Sequence, residues 1–285
     1  MAPARRRPAL WRLALGVPLA GAAWFGFGLA MDEAAWTLLS EEDYFYWAER
    51  TLEGDHPIGL LVALTSFAGL LGGTLLAAWA LHGRTPLALL GPPGRAARDF
   101  GRTAIVVAVV YALMFAAWAM VHDSTPGLEP RRWALYAVPA LLLLLVQTGA
   151  EEFAFRGYLQ GQLAARFRSP VAWALLPSLA FGAVHYDPTL PGANALIYCA
   201  SSAVFGLVAA DLTARTGTLG AAWGLHWANN AFALLILGLP DDLSGLSLRL
   251  TPYLVSDPVS VLDVALGSAS LLAVWALVAR RVARP

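Results

Sequence analysis

The sequence predicts an all-α fold, a polytopic membrane bundle of about eight transmembrane helices. The chain is 58% hydrophobic and only 13% charged, with a mean hydropathy of +0.61. Its apolar residues fall into stretches close to the roughly 20 residues that cross a bilayer as a helix. No segment shows the alternating pattern of about ten residues that is typical of an outer-membrane barrel strand. We therefore interpret 1–285 as a single integral-membrane domain.

The apolar stretches follow one another along the whole chain. The first comes after the arginines at 5–12 and resembles a signal peptide, but no small-x-small cleavage site follows, so we expect a first span. Turn signals, such as GPPG at 91–94 and SP at 169–170, separate later stretches. The predicted spans are about 13–31, 57–81, 103–121, 132–167, 170–186, 193–213, 217–238 and 259–279.

The distribution of arginine predicts the orientation. All 19 basic residues are arginines, and most lie in loops on the side of the N-terminus, at 5–12, 84–102, 166–168, 215 and 280–284. The positive-inside rule then places both termini in the cytoplasm. The arginine-only, alanine-rich composition indicates a bacterium with a GC-rich genome, and hence a multi-pass protein of its cell membrane. The net charge of zero predicts no nucleic-acid partner, and the lone Cys199 excludes an intrachain disulfide and a cysteine metal cluster.

Three ionisable residues interrupt the fourth apolar stretch: Glu151, Glu152 and Arg156. A charged side chain deep in a bilayer costs roughly 2.5–3.5 kcal/mol, so such residues usually face the bundle interior and serve a function there. Glu152 and Arg156 are four residues apart with the acid first, which favours an ion pair. Glu151 lies about 100° further round the helix and is free of that pair. The alternative is a purely structural ion-pair cluster.

Two further spans carry polar residues that are expected to converge with this stretch. His185 lies in the fifth span, and His226 and Asn230 are four residues apart in the seventh. In a hairpin folded about residue 168, Glu151 and His185 lie at equal height, and helical rise brings His226 and Asn230 to a similar depth. The sequence thus predicts a cluster inside the membrane, nearer its cytoplasmic face.

The chemistry of such a cluster is limited to a few reactions. A glutamate opposed to a histidine can bind a water and take its proton, which makes a nucleophile for a carbonyl. A second histidine and an asparagine amide can stabilise the resulting oxyanion. Two histidines and a carboxylate could instead hold zinc, although no HExxH is present. No GxSxG serine is present either, which argues against serine hydrolysis.

The motifs resemble those of the CAAX prenyl protease and bacteriocin-processing family of intramembrane endopeptidases (CPBP, or Abi). The family pattern is EExxxR, FxxxH and HxxxN on successive membrane helices. This sequence has EEFAFR at 151–156, FGAVH at 181–185 and HWANN at 226–230. Each motif alone is weak, but their order and separation are specific, and the resemblance covers about 133–238.

The resemblance implies a glutamate-dependent, metal-free endopeptidase that needs no cofactor, with zinc as the alternative. Carried over by position, Glu151 and His185 activate the water, and His226 and Asn230 form the oxyanion site. The supporting positions are Glu152 and Arg156.

The resemblance also suggests partners. We expect membrane lipids and a peptide or protein tail that is lipidated or ends in a C-terminal sorting signal. Eukaryotic members remove the last three residues of prenylated proteins, whereas bacterial members process peptides or sorting tails, or act in bacteriocin immunity. The alternatives from another class are a non-catalytic scaffold, an immunity protein and a transporter, although the internal repeats typical of a transporter are absent.

Other polar residues receive a structural interpretation. His82 lies at the end of a span and is expected at the membrane interface. Gln147 is expected to form a helix-packing hydrogen bond. By its spacing, Asn229 is a bystander beside Asn230, although it could exchange roles with it.

Overall fold

The structure, a computed structural model, describes residues 4–281, where α-helices dominate. The helices α1 to α12 are Leu10–Leu38, Glu41–Glu53, Pro57–Thr65, Phe67–His82, Pro86–Leu90, Pro93–Trp118, Pro130–Glu152, Gly161–Arg166, Leu176–Ala183, Gly192–Thr216, Gly220–Leu235 and Val261–Arg281. Two π-helices add to these: Phe153–Gln160 joins α7 to α8, and Val171–Leu175 leads into α9. Two short 3-10 helices cover Ala4–Arg6 and Ser244–Leu246.

A small sheet ties the loops at one end of the bundle. Its strands have two residues each: β1 at Thr125–Pro126, β2 at Leu237–Gly238 and β3 at Arg249–Leu250. The order is β1-β3-β2, with β1 antiparallel and β2 parallel to β3. The sheet therefore fastens the segment after α11 to the loop that precedes α7.

The membrane character of the fold is confirmed. In the described residues, six helical segments are long and apolar enough to cross a bilayer: Leu10–Leu38, Pro57–His82, Pro93–Trp118, Pro130–Arg166, Gly192–Thr216 and Val261–Arg280. The remaining two predicted spans are also helical but shorter, at Val171–Ala183 and Gly220–Leu235. At 1.5 Å per residue they measure about 20 and 24 Å, less than the roughly 30 Å of a hydrocarbon core. Eight crossings and cytoplasmic termini stay predictions.

The first helix is longer than its apolar stretch predicted. Hydropathy placed its end near residue 31, but α1 continues to Leu38 because the acidic and alanine residues that follow still favour a helix. The helical conformation ends just before Ser40. The Ser40 side chain accepts a hydrogen bond from the Asp43 backbone N–H at 3.2 Å. This N-cap starts the separate, amphipathic α2.

Helices α6 and α11 pack closely because α11 presents two glycines to α6. A Cβ at Gly220 would lie 2.0 Å from the Ala96 carbonyl oxygen, and one at Gly224 would lie 2.3 Å from that of Phe100. Small residues permit this approach of two backbones, as is common between membrane helices. The contact fixes α11, the helix that carries the HWANN motif.

Buried polar groups support the π-helix that follows α7. Arg84, 5% exposed, donates from a terminal nitrogen to the Gly157 carbonyl oxygen at 3.1 Å. Burial lowers the pKa of Arg84 to about 10, so the side chain is still cationic at neutral pH. His82 Nε2 lies 3.0 Å from the Tyr158 hydroxyl, and His82 is only 3% exposed. His82 thus ends α4 with its ring turned inward to this hydroxyl, and its depth at the membrane interface stays a prediction.

We expect Gly224→Ala to lower the thermal stability of the purified protein. The added Cβ must push α6 and α11 apart, and overpacking of this kind costs about 1–3 kcal/mol. Gly21→Ala is the matched control, since a Cβ there meets nothing within 4 Å. Equal melting temperatures of the two variants in the same detergent would contradict the close contact.

Candidate active site

The imidazole of His226 lies between two neighbouring carboxylates. Its Nδ1 is 2.8 Å from Glu152 Oε1, and its Nε2 is 3.3 Å from Glu151 Oε2. His226 belongs to α11 and both glutamates to the end of α7, so this contact joins two helices. All three residues are buried, with Glu151 at 8% and Glu152 at 0% exposure.

Arg156 completes the charge balance from the π-helix. One terminal guanidinium nitrogen donates to Glu152 Oε1 at 3.0 Å, which confirms the predicted i,i+4 ion pair. Its guanidinium carbon also lies 4.3 Å from the ring centroid of Phe181, a favourable cation–π contact. When His226 is protonated on both nitrogens, two cations balance the two carboxylates, as a low-dielectric site requires.

Glu151 is less constrained than its neighbour. Although Glu151 Oε2 is close to His226, the angles are not those of a hydrogen bond, and this buried oxygen has no hydrogen-bond partner among the residues described. Glu152 Oε1, by contrast, accepts from both His226 and Arg156. The prediction that Glu151 stands outside the Glu152–Arg156 pair is thus confirmed by the geometry, and this carboxylate can accept an additional donor.

His185 reaches the site by way of Phe181. Its Nδ1 lies 2.7 Å from the Phe181 carbonyl oxygen. A carbonyl only accepts, so Nδ1 carries the hydrogen, and Nε2 of the neutral ring is an acceptor. The Phe181 ring lies 4.5 Å from the His185 ring and 5.9 Å from that of His226, between centroids. The Phe181 ring therefore lies close to both imidazoles, and within the described residues no hydrogen bond or salt bridge joins His185 to Glu151.

Asn230 lies at the same junction of α7 and α11. Its Nδ2 donates to Gln147 Oε1 at 2.9 Å, and its Oδ1 accepts from Asn229 Nδ2 at 3.1 Å. The helix-packing hydrogen bond expected of Gln147 is thus present, and its partner is Asn230; Asn229, expected to be a bystander, also contacts Asn230. The spacing could have predicted that Gln147 lies near the site, because it is one helical turn before Glu151 and so on the same face of α7. Phe181 contacts His185, His226 and Arg156. Only its place in the FxxxH motif could have indicated these contacts from the sequence.

A cavity of about 270 Å³ opens beside His185. It is lined by His185, Asp187, Thr189, Leu190, Tyr198, Asp241, Asp242 and Val255. Burial, and then the charges of Asp241 and Asp187, raise the pKa of the Asp242 carboxyl. The cavity connects the neighbourhood of His185 with the loops after α9 and α11, and its polar lining is predominantly acidic.

The side chains do not converge as a set of metal ligands. Between residues 4 and 281, no three His, Cys, Asp or Glu side chains form a group that could hold a metal ion. Glu151 and His226 are in contact, whereas the ring nitrogen Nδ1 of His185 is taken up by its own helix.

The fold and the cluster together define a multi-pass helical membrane protein with a buried site of carboxylate, imidazole and amide groups. Residues 132–232 match a family described as Type II CAAX prenyl endopeptidase Rce1-like. This stretch is thus similar to the Rce1-like family of CAAX prenyl endopeptidases, and the resemblance that the three motifs predicted is confirmed over it.

A relative is found among bacterial proteins. The chain is 31% identical over 113 residues to an uncharacterized protein of Bacillus subtilis (strain 168), YyaK. The match covers 40% of this chain and 37% of the relative, so the similarity spans well under half of either protein. No solved structure matches the chain.

We expect Arg156→Met to destabilise the protein strongly. It leaves the Glu152 carboxylate buried without its guanidinium partner, and the loss of one member of a buried pair typically costs about 3–5 kcal/mol. Thermal unfolding in detergent measures the effect. Restoring neutrality with Glu152→Gln in the same chain should recover part of the loss.

Arg215→Met is the control for a pair with the same spacing. Arg215 Nε lies 2.5 Å from Asp211 Oδ2, but both side chains are partly exposed, so its loss should cost about 1 kcal/mol or less. If Arg156→Met and Arg215→Met had equal effects, the Glu152–Arg156 pair would not be the buried tie described above.

We expect Asp242→Asn to be more stable than the natural chain at pH 7.5, with the difference shrinking toward pH 4.5. A carboxyl with a raised pKa is disfavoured as an anion in the folded state, so the penalty is present at neutral pH and is relieved as pH falls through the folded-state pKa. The expected gain in melting temperature at pH 7.5 is about 2 °C. Asp123→Asn, at an exposed position, serves as the control; a pH-independent difference for Asp242→Asn would contradict the assignment.

Proposed function

We propose that the protein is an intramembrane endopeptidase of the CAAX protease type, in which Glu151 is the general base. The observation that supports this most is the unpartnered, buried carboxylate oxygen of Glu151, 3.3 Å from an imidazole that Glu152 holds. An unsatisfied carboxylate inside a membrane bundle is costly, and its retention is typical of a reacting group.

The first step is the attack of water on the scissile carbonyl carbon. Glu151 accepts one proton of the water as the new carbon–oxygen bond forms. His185 Nε2, the acceptor side of its ring, can take a hydrogen bond from the other water hydrogen. This arrangement uses His185 to orient the water, because its Nδ1 is engaged with the Phe181 carbonyl.

The second step is the breakdown of the tetrahedral intermediate. Its oxyanion is stabilised by donors aimed at the developing charge, here the Nε2–H of His226 and the second N–H of Asn230. The carbon–nitrogen bond then breaks, and the proton held by Glu151 passes to the leaving amine. The carboxylate is thereby restored for the next turnover.

Glu152 and Arg156 support this chemistry through His226. Since Glu152 accepts from Nδ1 at 2.8 Å, the ring is fixed with its Nε2 toward Glu151 and the substrate. Arg156 holds Glu152 in place through the ion pair at 3.0 Å. Neither residue needs to touch the substrate in this scheme.

The sequence and the family match support a proposal for the substrate and the setting. We propose a peptide or protein tail, lipidated or ending in a sorting signal, that is cleaved near the cytoplasmic face of a bacterial cell membrane. The acidic residues beside His185, Asp187 among them, line a cavity through which a polar segment can reach the site. The proposed reaction needs no metal.

We expect Glu151→Gln to lose at least about 10²-fold in cleavage rate, because the amide cannot accept the proton of the water. Substrates are found by comparing membrane-protein termini, by mass spectrometry, in cells that express the natural chain or Glu151→Gln. The same cleavage is then measured with purified protein in liposomes.

Glu33→Gln is the matched control, the same change at an exposed glutamate of α1, and should cleave at the natural rate. Natural activity in Glu151→Gln would end the proposal and favour a scaffold. Activity lost with a chelator and restored by zinc would replace the metal-free mechanism with that of a metallopeptidase.

A further inference from the structure

A chain of hydrogen bonds runs from α6 to α7 through two asparagines of α11. The Tyr111 hydroxyl donates to Asn229 Oδ1 at 2.8 Å, and Asn229 Nδ2 donates to Asn230 Oδ1 at 3.1 Å. Asn230 Nδ2 then donates to Gln147 Oε1 at 2.9 Å. Each link uses the oxygen of the next amide, so the orientation of every amide in the chain is fixed by its neighbour.

This series of hydrogen bonds ends at the two side-chain N–H groups of Gln147, which donate to no residue that the structure describes. With its oxygen engaged by Asn230, the Gln147 amide turns its nitrogen away from α11, and no residue that the structure describes accepts a hydrogen bond from this nitrogen. Gln147 is only 6% exposed. This nitrogen is not among the side-chain atoms that are enclosed without a hydrogen-bond partner, so its free N–H groups are accessible to an acceptor that a ligand brings.

The position of Gln147 shows which ligand that is. Gln147 and Glu151 are four residues apart in α7 and share one face of the helix. The amide therefore lies one turn, about 5.4 Å, along the helix from the proposed base. An extended peptide advances about 3.3 Å per residue, so main-chain carbonyls within two residues of the scissile bond pass this point.

We infer that Gln147 is a further substrate-binding residue, whose amide N–H groups donate to a main-chain carbonyl oxygen of the peptide beside the scissile bond. The inference rests on the proposed peptidase function. Gln147 also positions Asn230, because its oxygen holds one N–H of Asn230 and leaves the other for the oxyanion. Recognition of a main-chain carbonyl is independent of the substrate side chain, so the contact orients any extended peptide.

The experiment measures peptide binding apart from turnover. In a Glu151→Gln background, the dissociation constant of the substrate peptide is compared with and without Gln147→Met, which removes the donors at similar volume. We expect about tenfold weaker binding, the value of one lost hydrogen bond. Unchanged binding by the folded double variant would overturn the inference.

Turnover in an otherwise natural chain separates binding from positioning. Gln147→Glu keeps an oxygen for Asn230 but has no N–H groups when ionised, so KM should rise about tenfold at neutral pH. Lower pH protonates this carboxyl and restores one donor, so the activity of Gln147→Glu relative to the natural chain should increase as pH falls. A relative activity independent of pH would contradict the donor role.

Two further variants keep the outcomes distinguishable. Tyr111→Phe breaks the far end of the chain without touching Gln147, and it should lower kcat through Asn230 while leaving KM unchanged. Gln147→Asn, polar but shorter, replaces Gln147→Met if the latter fails to fold, with the same loss expected. Cleavage by Glu151→Gln would refute the proposed function, whereas natural KM in every Gln147 variant, with Glu151→Gln inactive, would refute only this inference.

Discussion

The contact of His226 with two adjacent glutamates is the constraint on which the rest of the structure depends. In water these groups would gain little from meeting, but inside a bilayer bundle each isolated ion costs several kcal/mol. Arg156 and the imidazole supply the compensating charge, and they come from the π-helix and from α11. The fold must therefore bring α11 against α7 to an accuracy of a few tenths of an ångström.

That requirement explains features at some distance from the site. The glycines of α11 that face α6 remove the side chains that would hold this helix away. At its start, the Leu219 backbone N–H donates to the Leu90 carbonyl at 3.0 Å, which ties α11 to α5. The π-helix is a rare form that is frequent at functional sites. It places a guanidinium nitrogen of Arg156 3.0 Å from Glu152 Oε1. Arg84 supports the π-helix by donating to its Gly157 carbonyl oxygen. These contacts fix the depth of α11 and its approach to α7.

Local spacing made part of this predictable. The Glu152–Arg156 pair follows from four residues of separation on one helix, and the apolar stretches became helices because membrane-length hydropathy has few other solutions. The tie between His226 and Glu152 was not predictable, because it spans 74 residues and depends on how α11 rotates. For His185, the hairpin register predicted the depth in the membrane but not the direction in which the side chain points around the helix axis. Its Nδ1 turned to the carbonyl oxygen of Phe181, one helical turn earlier.

Two adjacent glutamates in one helix cannot share an environment, since consecutive side chains point about 100° apart. At the end of α7, Glu152 therefore serves the structure, and Glu151 is the carboxylate that we propose as the base. Glu152 accepts from Arg156 and His226 through Oε1, which holds the imidazole in place, while its Oε2 is buried without a hydrogen-bond partner in the described residues. Glu151 lies beside the His226 imidazole and accepts no hydrogen bond from the described residues. The contrast between an acid held by two donors and a neighbour held by none is the feature on which the proposed role of Glu151 as the base depends.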